Sequence, residues 1–234
     1  KLHVAVGMGY GNPSIKKALA ELRQKGATSL IILPLFPQYS STTSGAILEA
    51  VFDELQRWRW MPSIQTISDY HDHPAYISAM AASVRAFWAQ SQKAEKLLLS
   101  FHGIPKEYVE KGDPYEAQCL RTADLLAAEL ALDEDAWLFA FQSRFGRQEW
   151  LQPYISEVLA QLGAEKLGKL DVLSPGFAVD CLETIGEIGY EGRESFQEAG
   201  GGEYNYIPAL NASDLHVEAL IEIILDRCAS DSHL

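Results

Sequence analysis

The fold class can be predicted from the stretch Lys96–Gln142, whose sequence is KLLLSFHGIPKEYVEKGDPYEAQCLRTADLLAAELALDEDAWLFAFQ. It opens with the apolar run Lys96–Phe101 and closes with a second one, Trp137–Gln142, and between them Pro114–Leu132 has apolar side chains at helical spacing. Short continuous apolar runs are typical of strands that are buried on both faces of a parallel sheet. The stretch therefore predicts a strand, a helix and a second strand.

The same alternation continues on both sides of this stretch. Further strands are predicted at Leu2–Met8, Ser29–Leu35, Ile64–Asp69, Leu170–Leu173 and Asn205–Ala209. Further helices are predicted at Pro13–Lys25, Ser44–Trp58, Pro74–Gln92, Glu149–Leu162, Asp180–Ala199 and Asp214–Cys228. Strict alternation predicts an α/β fold with parallel sheets. The polar stretch Gln90–Glu95 is the best domain boundary and would divide seven strands between two sheets, although a connection of this length also fits one seven-stranded sheet.

Composition limits the partners. The 234 residues carry 19 Lys and Arg against 32 Asp and Glu, a formal net charge of −13, which argues against nonspecific nucleic-acid binding and makes a cation the easier partner. Three widely spaced cysteines form neither a disulfide framework nor a CxxC pair, so a reducing cytoplasmic compartment fits best. Apolar runs such as Leu30–Phe36 are far shorter than the about 20 residues of a membrane-spanning helix. Because the chain opens at Lys1, directly before a predicted strand, we expect it to be part of a longer protein.

Ligands of open α/β sheets bind beyond the carboxyl ends of the strands, so the segments that follow the strands are the candidates for a site. Four of them are unusual, namely FPQYSSTTSG at Phe36–Gly45, HGIP at His102–Pro105, SRFGR at Ser143–Arg147 and SPGFAVDCLETIGE at Ser174–Glu187. The sequence has no GxGxxG, Walker, HExxH or GxSxG motif, which removes the usual support for nucleotide-binding, protease or lipase activity.

His102 is the first candidate for chemistry, because it ends a buried strand directly before a glycine. An imidazole at a strand end suits a general base or a metal ligand, and the alternative is a histidine that only binds a loop carbonyl. His71 and His73, which precede Pro74, fit the start of a helix better than a site.

A row of carboxylates is the second candidate. Asp180 and Glu183 match a capping box, but Glu187, Glu191 and Glu194 continue the same helix face. The like charges repel one another, which is consistent with a path for cations; a solvated face of an acidic protein explains the row equally well. Carboxylates with one imidazole suit a loosely held divalent ion rather than structural zinc.

Two further loops carry polar groups. The hydroxyl-rich loop Tyr39–Ser44 precedes a helix, so it is predicted either to bind an anionic ligand group or only to cap that helix. Arg144 and Arg147, with Trp150 behind them, could hold a flat carboxylated ligand; alternatively Trp150 packs in the core and the arginines pair with surface acids.

Together these segments resemble the ferrochelatase family, in its bacterial form, over essentially the whole chain. The resemblance rests on GYGNPSI at Gly9–Ile15, LPLFPQYSSTTSGA at Leu33–Ala46, SFHGIPKEYVEKGDPY at Ser100–Tyr115, FQSRFGRQEWLQPY at Phe141–Tyr154, and SPGFAVDCLETIGEI at Ser174–Ile188 followed by YNYIPALN. It implies two similar Rossmann-like three-layer domains with parallel sheets and a cleft between them. We expect residues 1–93 to be the remainder of the first domain, residues 94–212 the second, and residues 213–234 a C-terminal helix that returns to the first.

The resemblance also implies a function, insertion of ferrous iron into protoporphyrin IX in the last step of haem biosynthesis. His102 and Glu183 match the catalytic pair that faces the macrocycle and handles iron and the pyrrole protons, with the division of roles open. Glu187 joins them as a predicted metal ligand on a route for metal or protons. Ser143 and Trp150 match positions at the porphyrin pocket, and with Tyr39 they form the predicted substrate-binding set.

Three positions depart from the family pattern. Cys181 stands where many relatives have histidine, Gly9 where many have arginine, and Ser41 where relatives with an iron–sulfur cluster have cysteine, so we expect no such cluster and no other cofactor. We expect a cytoplasmic protein, which is either free or loosely attached to the inner face of a membrane through its hydrophobic substrate. The alternatives are a chelatase for another metal and tetrapyrrole, such as cobalt, and a tetrapyrrole carrier without catalysis.

Overall fold

The computed structural model describes residues 2–230 and shows alternating helices and strands over that range. The helices are α1 Ile15–Gln24, α2 Ala46–Leu55, α3 Pro74–Gln90, α4 Lys106–Glu110, α5 Tyr115–Glu129, α6 Ile155–Ala164, α7 Gly192–Glu198 and α8 Asp214–Ser230. The strands are β1 Ser29–Ile32, β2 Ser63–Thr66, β3 Lys96–His102, β4 Trp137–Gln142, β5 Lys169–Leu173 and β6 Glu203–Ile207. Two π-helical segments, the first at Ser41–Gly45 and the second at Leu182–Glu191, directly precede α2 and α7.

The strands form two parallel sheets. One sheet pairs β1 with β2, and the other has the order β4-β3-β5-β6. The predicted α/β fold with parallel sheets is confirmed, and the strands within residues 2–230 are divided between two sheets rather than joined in one. In the larger sheet the register places His102 beside Gln142, so two polar side chains end neighbouring strands at the same edge.

The larger sheet is buried on both faces, which explains the continuous apolar runs of its strands. In β3, Leu97, Leu99 and Phe101 pack with α3 and α5, whereas Leu98 packs on the other face with α6 and α7. All four side chains are fully or almost fully buried. Because successive side chains of a strand point to opposite faces, each layer of helices covers alternate residues of the same run.

The predicted strand at Leu2–Met8 is wrong. Residues 2–7 have no ladder partner in the described part of the chain, and Met8 forms only an isolated bridge with Ser14. Leu2, Val4 and Val6 are 83, 76 and 63% exposed. Alternating apolar residues fit a half-buried strand, but a strand also needs a neighbour for its backbone groups, and the described residues provide none here.

The helices agree with prediction apart from the following differences. Helix α6 begins at Ile155, six residues after the predicted start at Glu149. Helix α1 begins at Ile15, later than the predicted Pro13, because Ser14 is its N-cap and accepts the backbone N–H of Lys17 at 3.3 Å. The short helix α4 was not predicted. The predicted helix Asp180–Ala199 is instead the second π-helical segment followed by α7, a difference of hydrogen-bond pattern that apolar periodicity does not reveal.

Helix α3 lies between helix α8 and the larger sheet. Its Trp88 donates from Nε1 to the buried carboxylate of Asp171 on β5 at 2.8 Å, and the backbone N–H of Ala94 donates to the same carboxylate oxygen. Helix α8 packs on α3. The division at residues 93 and 94 stays a prediction. Among the described residues, no helix combines the length and apolar character needed to cross a membrane.

Candidate active site

His102 lies at the carboxyl end of β3 and has two aromatic neighbours. Its ring centroid is 6.5 Å from that of Trp150 and 6.5 Å from that of Phe177. Its Nδ1 lies 2.7 Å from the carbonyl oxygen of Gly103. Because a carbonyl only accepts hydrogen bonds, Nδ1 carries a proton, so the lone pair of the neutral ring is on Nε2. Nε2 is therefore the atom through which the neutral ring can accept a proton or bind a metal ion.

The second π-helical segment begins with a capping box that differs from the predicted one. Cys181 is the N-cap: its side chain accepts the backbone N–H of Thr184, and Oγ1 of Thr184 accepts the backbone N–H of Cys181 at 2.9 Å. The predicted capping box of Asp180 and Glu183 is therefore wrong. The observed box lies one residue later in the sequence than the predicted one and has the same spacing. Thr184 therefore takes the place predicted for Glu183, and the side chain of Glu183 does not cap the segment.

Asp180 instead joins this segment to the chain that follows β6. Its carboxylate accepts the hydroxyl of Tyr206 at 2.7 Å, the amide of Asn211 at 2.8 Å, the hydroxyl of Thr184 at 3.1 Å and the backbone N–H of Ala209 at 3.2 Å. Burial opposes its ionisation, but these hydrogen bonds together outweigh burial and hold the pKa of Asp180 below its ordinary value. The carboxylate is thus a fixed anchor for the start of the segment.

Glu183 is exposed and ionised at neutral pH. A hydrogen bond from the thiol of Cys181 is the main cause that lowers the pKa of the Glu183 carboxyl, with its own backbone N–H second, partial burial opposing, and charge on His102 a smaller contribution. Burial and the carboxylate of Glu183 raise the pKa of the Cys181 thiol, so the thiol keeps its proton. Gln142, which lies beside His102 in the register of the sheet, donates from its side chain to the backbone carbonyl of Glu183 at 2.8 Å, so His102 and Glu183 share one neighbour.

Glu187 and Ser143 bind each other. The carboxylate of Glu187 accepts the backbone N–H of Ser143 at 2.6 Å, and it also accepts the hydroxyl of Ser143 and the side-chain amide of Gln142. Ser143 follows β4 with a φ of 63°. A predicted metal ligand and a predicted substrate-binding residue are therefore held together by hydrogen bonds. Among residues 2–230, no three His, Cys, Asp or Glu side chains gather as a metal-binding set.

Trp150 is buried between His102 and an exposed aromatic ring. It is 5% exposed, and the ring centroid of Phe145, which is 72% exposed, lies 4.9 Å from its own. Its indole N–H has no hydrogen-bond partner among the described residues. Arg144 lies over the ring of Tyr154 at 4.3 Å from the centroid, rather than beside a surface acid. Core packing of Trp150 is compatible with its predicted place at the porphyrin pocket, because it also contacts His102.

The hydroxyl-rich loop is occupied by a carboxylate of the chain itself. One oxygen of Asp113 accepts the hydroxyl of Ser40 at 3.0 Å, and the backbone N–H and the hydroxyl of Ser41 at 2.8 and 2.9 Å. The expectation that a ligand anion docks on these hydroxyls is therefore wrong, since an anion is already bound there. Tyr39 is half-buried in this loop, and its backbone N–H donates to Gln118 at 2.6 Å. Its predicted contact with substrate stays a prediction.

Two further histidines named in the sequence analysis, His71 and His73, have local structural roles. His73 caps α3 and accepts the backbone N–H of Ala75 at 3.3 Å, which confirms that it begins a helix. Nδ1 of His71 lies 2.8 Å from Asp69.

Three residues of this region were missed from the sequence. Asp113 and Phe177 reach their partners only through tertiary contacts, so no local pattern marks them. Gln142 had a usable signal, because it is a polar residue at the end of the otherwise apolar run Trp137–Gln142.

Comparison with known proteins decides the family. The model of the family described as "Ferrochelatase" matches residues 1–228. The chain belongs to the ferrochelatase family. Relatives named ferrochelatase include those of Thioalkalivibrio sulfidiphilus, 52% identical over 95% of this chain and 60% of the relative, and of Methylobacillus flagellatus, 51% identical over 96% of this chain and 65% of the relative. The chain thus spans less than two thirds of the length of these curated relatives.

The fold of this ferrochelatase-family chain is also similar to solved structures. SirB from Bacillus subtilis with Fe3+ matches with a TM-score of 0.69 and 13% identity, over 95% of this chain and 81% of that one. A SirB structure from Bacillus subtilis subspecies spizizenii matches with a TM-score of 0.64, again at 13% identity, over 93% of this chain and 77% of that one. At this identity the likeness establishes the fold.

Proposed function

We propose that this protein inserts ferrous iron into protoporphyrin IX. The reaction replaces the two pyrrole N–H protons by Fe2+ and releases both protons, so the site must accept protons and stabilise a cation, and no electron is transferred. Iron and porphyrin are substrates here, and no resident cofactor is required.

One observation supports the proposal: Gln142, the neighbour of His102 in the register of the sheet, donates to the backbone carbonyl of Glu183 at 2.8 Å, which brings His102 and Glu183 to the same end of the sheet. An imidazole with a lone pair accepts a pyrrole proton near neutral pH, and a nearby carboxylate stabilises the incoming cation or takes the second proton. A ring bent by the pocket exposes nitrogen lone pairs to the metal, and the binding energy spent on bending lowers the barrier.

The remaining predicted site residues fit supporting roles. The ring of Trp150 lies beside His102, as does that of Phe177, which the sequence did not single out, and we propose that these aromatic rings line the porphyrin pocket. We propose that Ser143 and Tyr39 contact the substrate. We also propose that Glu187, whose carboxylate accepts the backbone N–H of Ser143 at 2.6 Å, belongs to a route for metal or protons.

We also propose that the protein holds no iron–sulfur cluster. Such clusters are held by four cysteine thiolates, whereas the three cysteines here are a buried residue of α5, the cap of the second π-helical segment and an exposed residue of α8. A cytoplasmic location and peripheral association with a membrane stay predictions.

The test is an anaerobic assay with purified full-length protein, protoporphyrin IX and ferrous iron. We expect haem absorbance that grows with time and in proportion to enzyme. A porphyrin band that shifts once and then stays constant would mean a tetrapyrrole carrier instead.

A chelatase for another metal is the second candidate, because one similar fold is described as the sirohydrochlorin chelatase SirB in complex with cobalt. Parallel assays with Co2+ and with sirohydrochlorin separate the two. Faster insertion of cobalt into sirohydrochlorin than of iron into protoporphyrin would replace the proposed function.

A further inference from the structure

Gln142 is a buried polar residue next to the candidate site. It ends β4, is 1% exposed, and lies beside His102 in the register of the sheet. Its side chain makes three hydrogen bonds: Oε1 accepts the hydroxyl of Ser100 at 2.7 Å, and Nε2 donates to the carbonyl oxygen of Glu183 at 2.8 Å and to the carboxylate of Glu187 at 3.3 Å. A buried amide with all these contacts made is costly to disturb.

The orientation of this amide is determined by its neighbours. The backbone carbonyl of Glu183 can only accept a hydrogen bond, so the NH2 group of Gln142 must face it, and the same group then reaches the carboxylate of Glu187. The amide oxygen then faces Ser100, whose hydroxyl is free to rotate and donate. The side chain therefore has one arrangement that satisfies every partner.

The backbone of Gln142 holds the other half of the site. Its carbonyl oxygen accepts the N–H of Gly103 at 2.9 Å, directly after His102. A Cβ on Gly103 would lie 2.9 Å from the same oxygen, so this close approach requires glycine. One residue thus connects the strand end that carries His102 with the segment that carries Glu183 and Glu187.

We infer that Gln142 is a positioning residue, which sets the separation between His102 and Glu183 and directs the Glu187 carboxylate towards Ser143. The inference rests on the proposed function and adds to it a buried residue outside the predicted catalytic and substrate-binding sets. Displacement of a catalytic group by about 1 Å can cost on the order of 100-fold in rate. Loss of the amide should therefore lower turnover more than it lowers substrate binding.

Two variants test this inference, Gln142→Leu and Gln142→Met. Each replaces the side-chain amide by an apolar side chain of similar size, so the hydrogen bonds to Glu183 and Glu187 are lost. We expect kcat for iron insertion to fall by about 10- to 100-fold in each, with the porphyrin KM changed by less than about threefold. Two variants guard against one that fails to fold. Wild-type kcat per folded molecule in either variant would overturn the inference, as would a loss confined to KM.

The matched control is Asp171→Asn, because Asp171 is also a fully buried polar centre of the same sheet, on the neighbouring strand β5 beside the start of β3 rather than its end. We expect it to lower the unfolding temperature while kcat per folded molecule stays at the wild-type value. An equal loss of kcat in Asp171→Asn and Gln142→Leu would assign the effect to general destabilisation and overturn the inference.

A structural measurement separates the inference from the proposed function. If the wild-type protein inserts no metal into any porphyrin, the proposed function fails, whatever the variants do. Crystal structures of wild-type and Gln142→Leu protein still decide the inference: we expect Glu183 to move relative to His102 by about 1 Å or more. An unchanged separation would overturn it.

Discussion

The two π-helical segments share one design and differ in how their first turn is satisfied. Each follows a strand and a loop with proline, each begins with a capping box that ends in threonine, and each runs directly into an α-helix. In the first, Ser40 is the cap and Thr43 the reciprocal partner. In the second, Cys181 and Thr184 take these places.

The difference between them lies in where the carboxylate comes from. At the first segment, Asp113 arrives from a distant part of the chain and binds Ser40 and Ser41. At the second segment, Glu183 belongs to the segment itself, is exposed, and receives a hydrogen bond from the thiol of the cap. The same backbone arrangement is therefore closed by a carboxylate from elsewhere in the chain in one case, and open, with an exposed carboxylate of its own, in the other.

The largest effect on the rate of iron insertion should come from substitutions of Glu183 on the open segment and of His102. His102→Ala and Glu183→Gln should each lower iron insertion by about 100-fold or more, since each removes a group proposed to accept a proton or stabilise the metal. Circular dichroism and steady-state rates measure this. His73→Asn is the control, because asparagine also caps a helix well and His73 lies outside the site. Near-normal rates in either variant would remove that residue from the site.

The closed segment should respond in stability rather than in rate. Asp113→Ala removes the acceptor of hydrogen bonds from Ser40, Ser41 and the backbone of Tyr115, and should lower the free energy of unfolding by about 2 kcal/mol. Urea unfolding measures it, with the exposed Asp124→Ala on α5 as control. If both variants unfold at the same urea concentration, Asp113 does not hold the first segment.

The smallest effect should come from the thiol cap. Cys181→Ala removes the donor that lowers the pKa of Glu183, so this pKa rises and the carboxylate is lost at a higher pH. The acid limb of the rate profile should then move to higher pH by less than about one unit. Cys181→Ser keeps a donor of similar size and should change activity modestly. A complete loss in Cys181→Ser would show that the thiol itself is needed.

Local sequence pattern predicts the strands of the larger sheet and the position of His102. Strands of the larger sheet were found because Leu97–Phe101 is apolar on both faces, and His102 was found because it ends that run. Leu2–Met8 has a similar pattern but no ladder partner in the described range, so pattern alone misled there.

The rest depends on contacts that local pattern does not encode. In DCLET, the boxes of Asp180 with Glu183 and of Cys181 with Thr184 have equal spacing, and the usual preference for aspartate at an N-cap favours the wrong one. Asp113 lies 72 residues beyond Ser41, so its occupation of the loop is a tertiary event. The path of hydrogen bonds through Gln142 likewise joins elements that are far apart in sequence.

The burial of Trp150 against His102 has a practical consequence for optical work on this protein. An indole whose ring centre is 6.5 Å from the imidazole gives a fluorescence signal from inside the site. Trp88, bonded to Asp171, reports instead from the neighbouring strand β5, where Asp171 lies beside Leu97 near the start of β3, whereas His102 lies at its end. Proteins that retain one or the other tryptophan as their sole emitter would distinguish an event confined to the site from unfolding of the whole sheet.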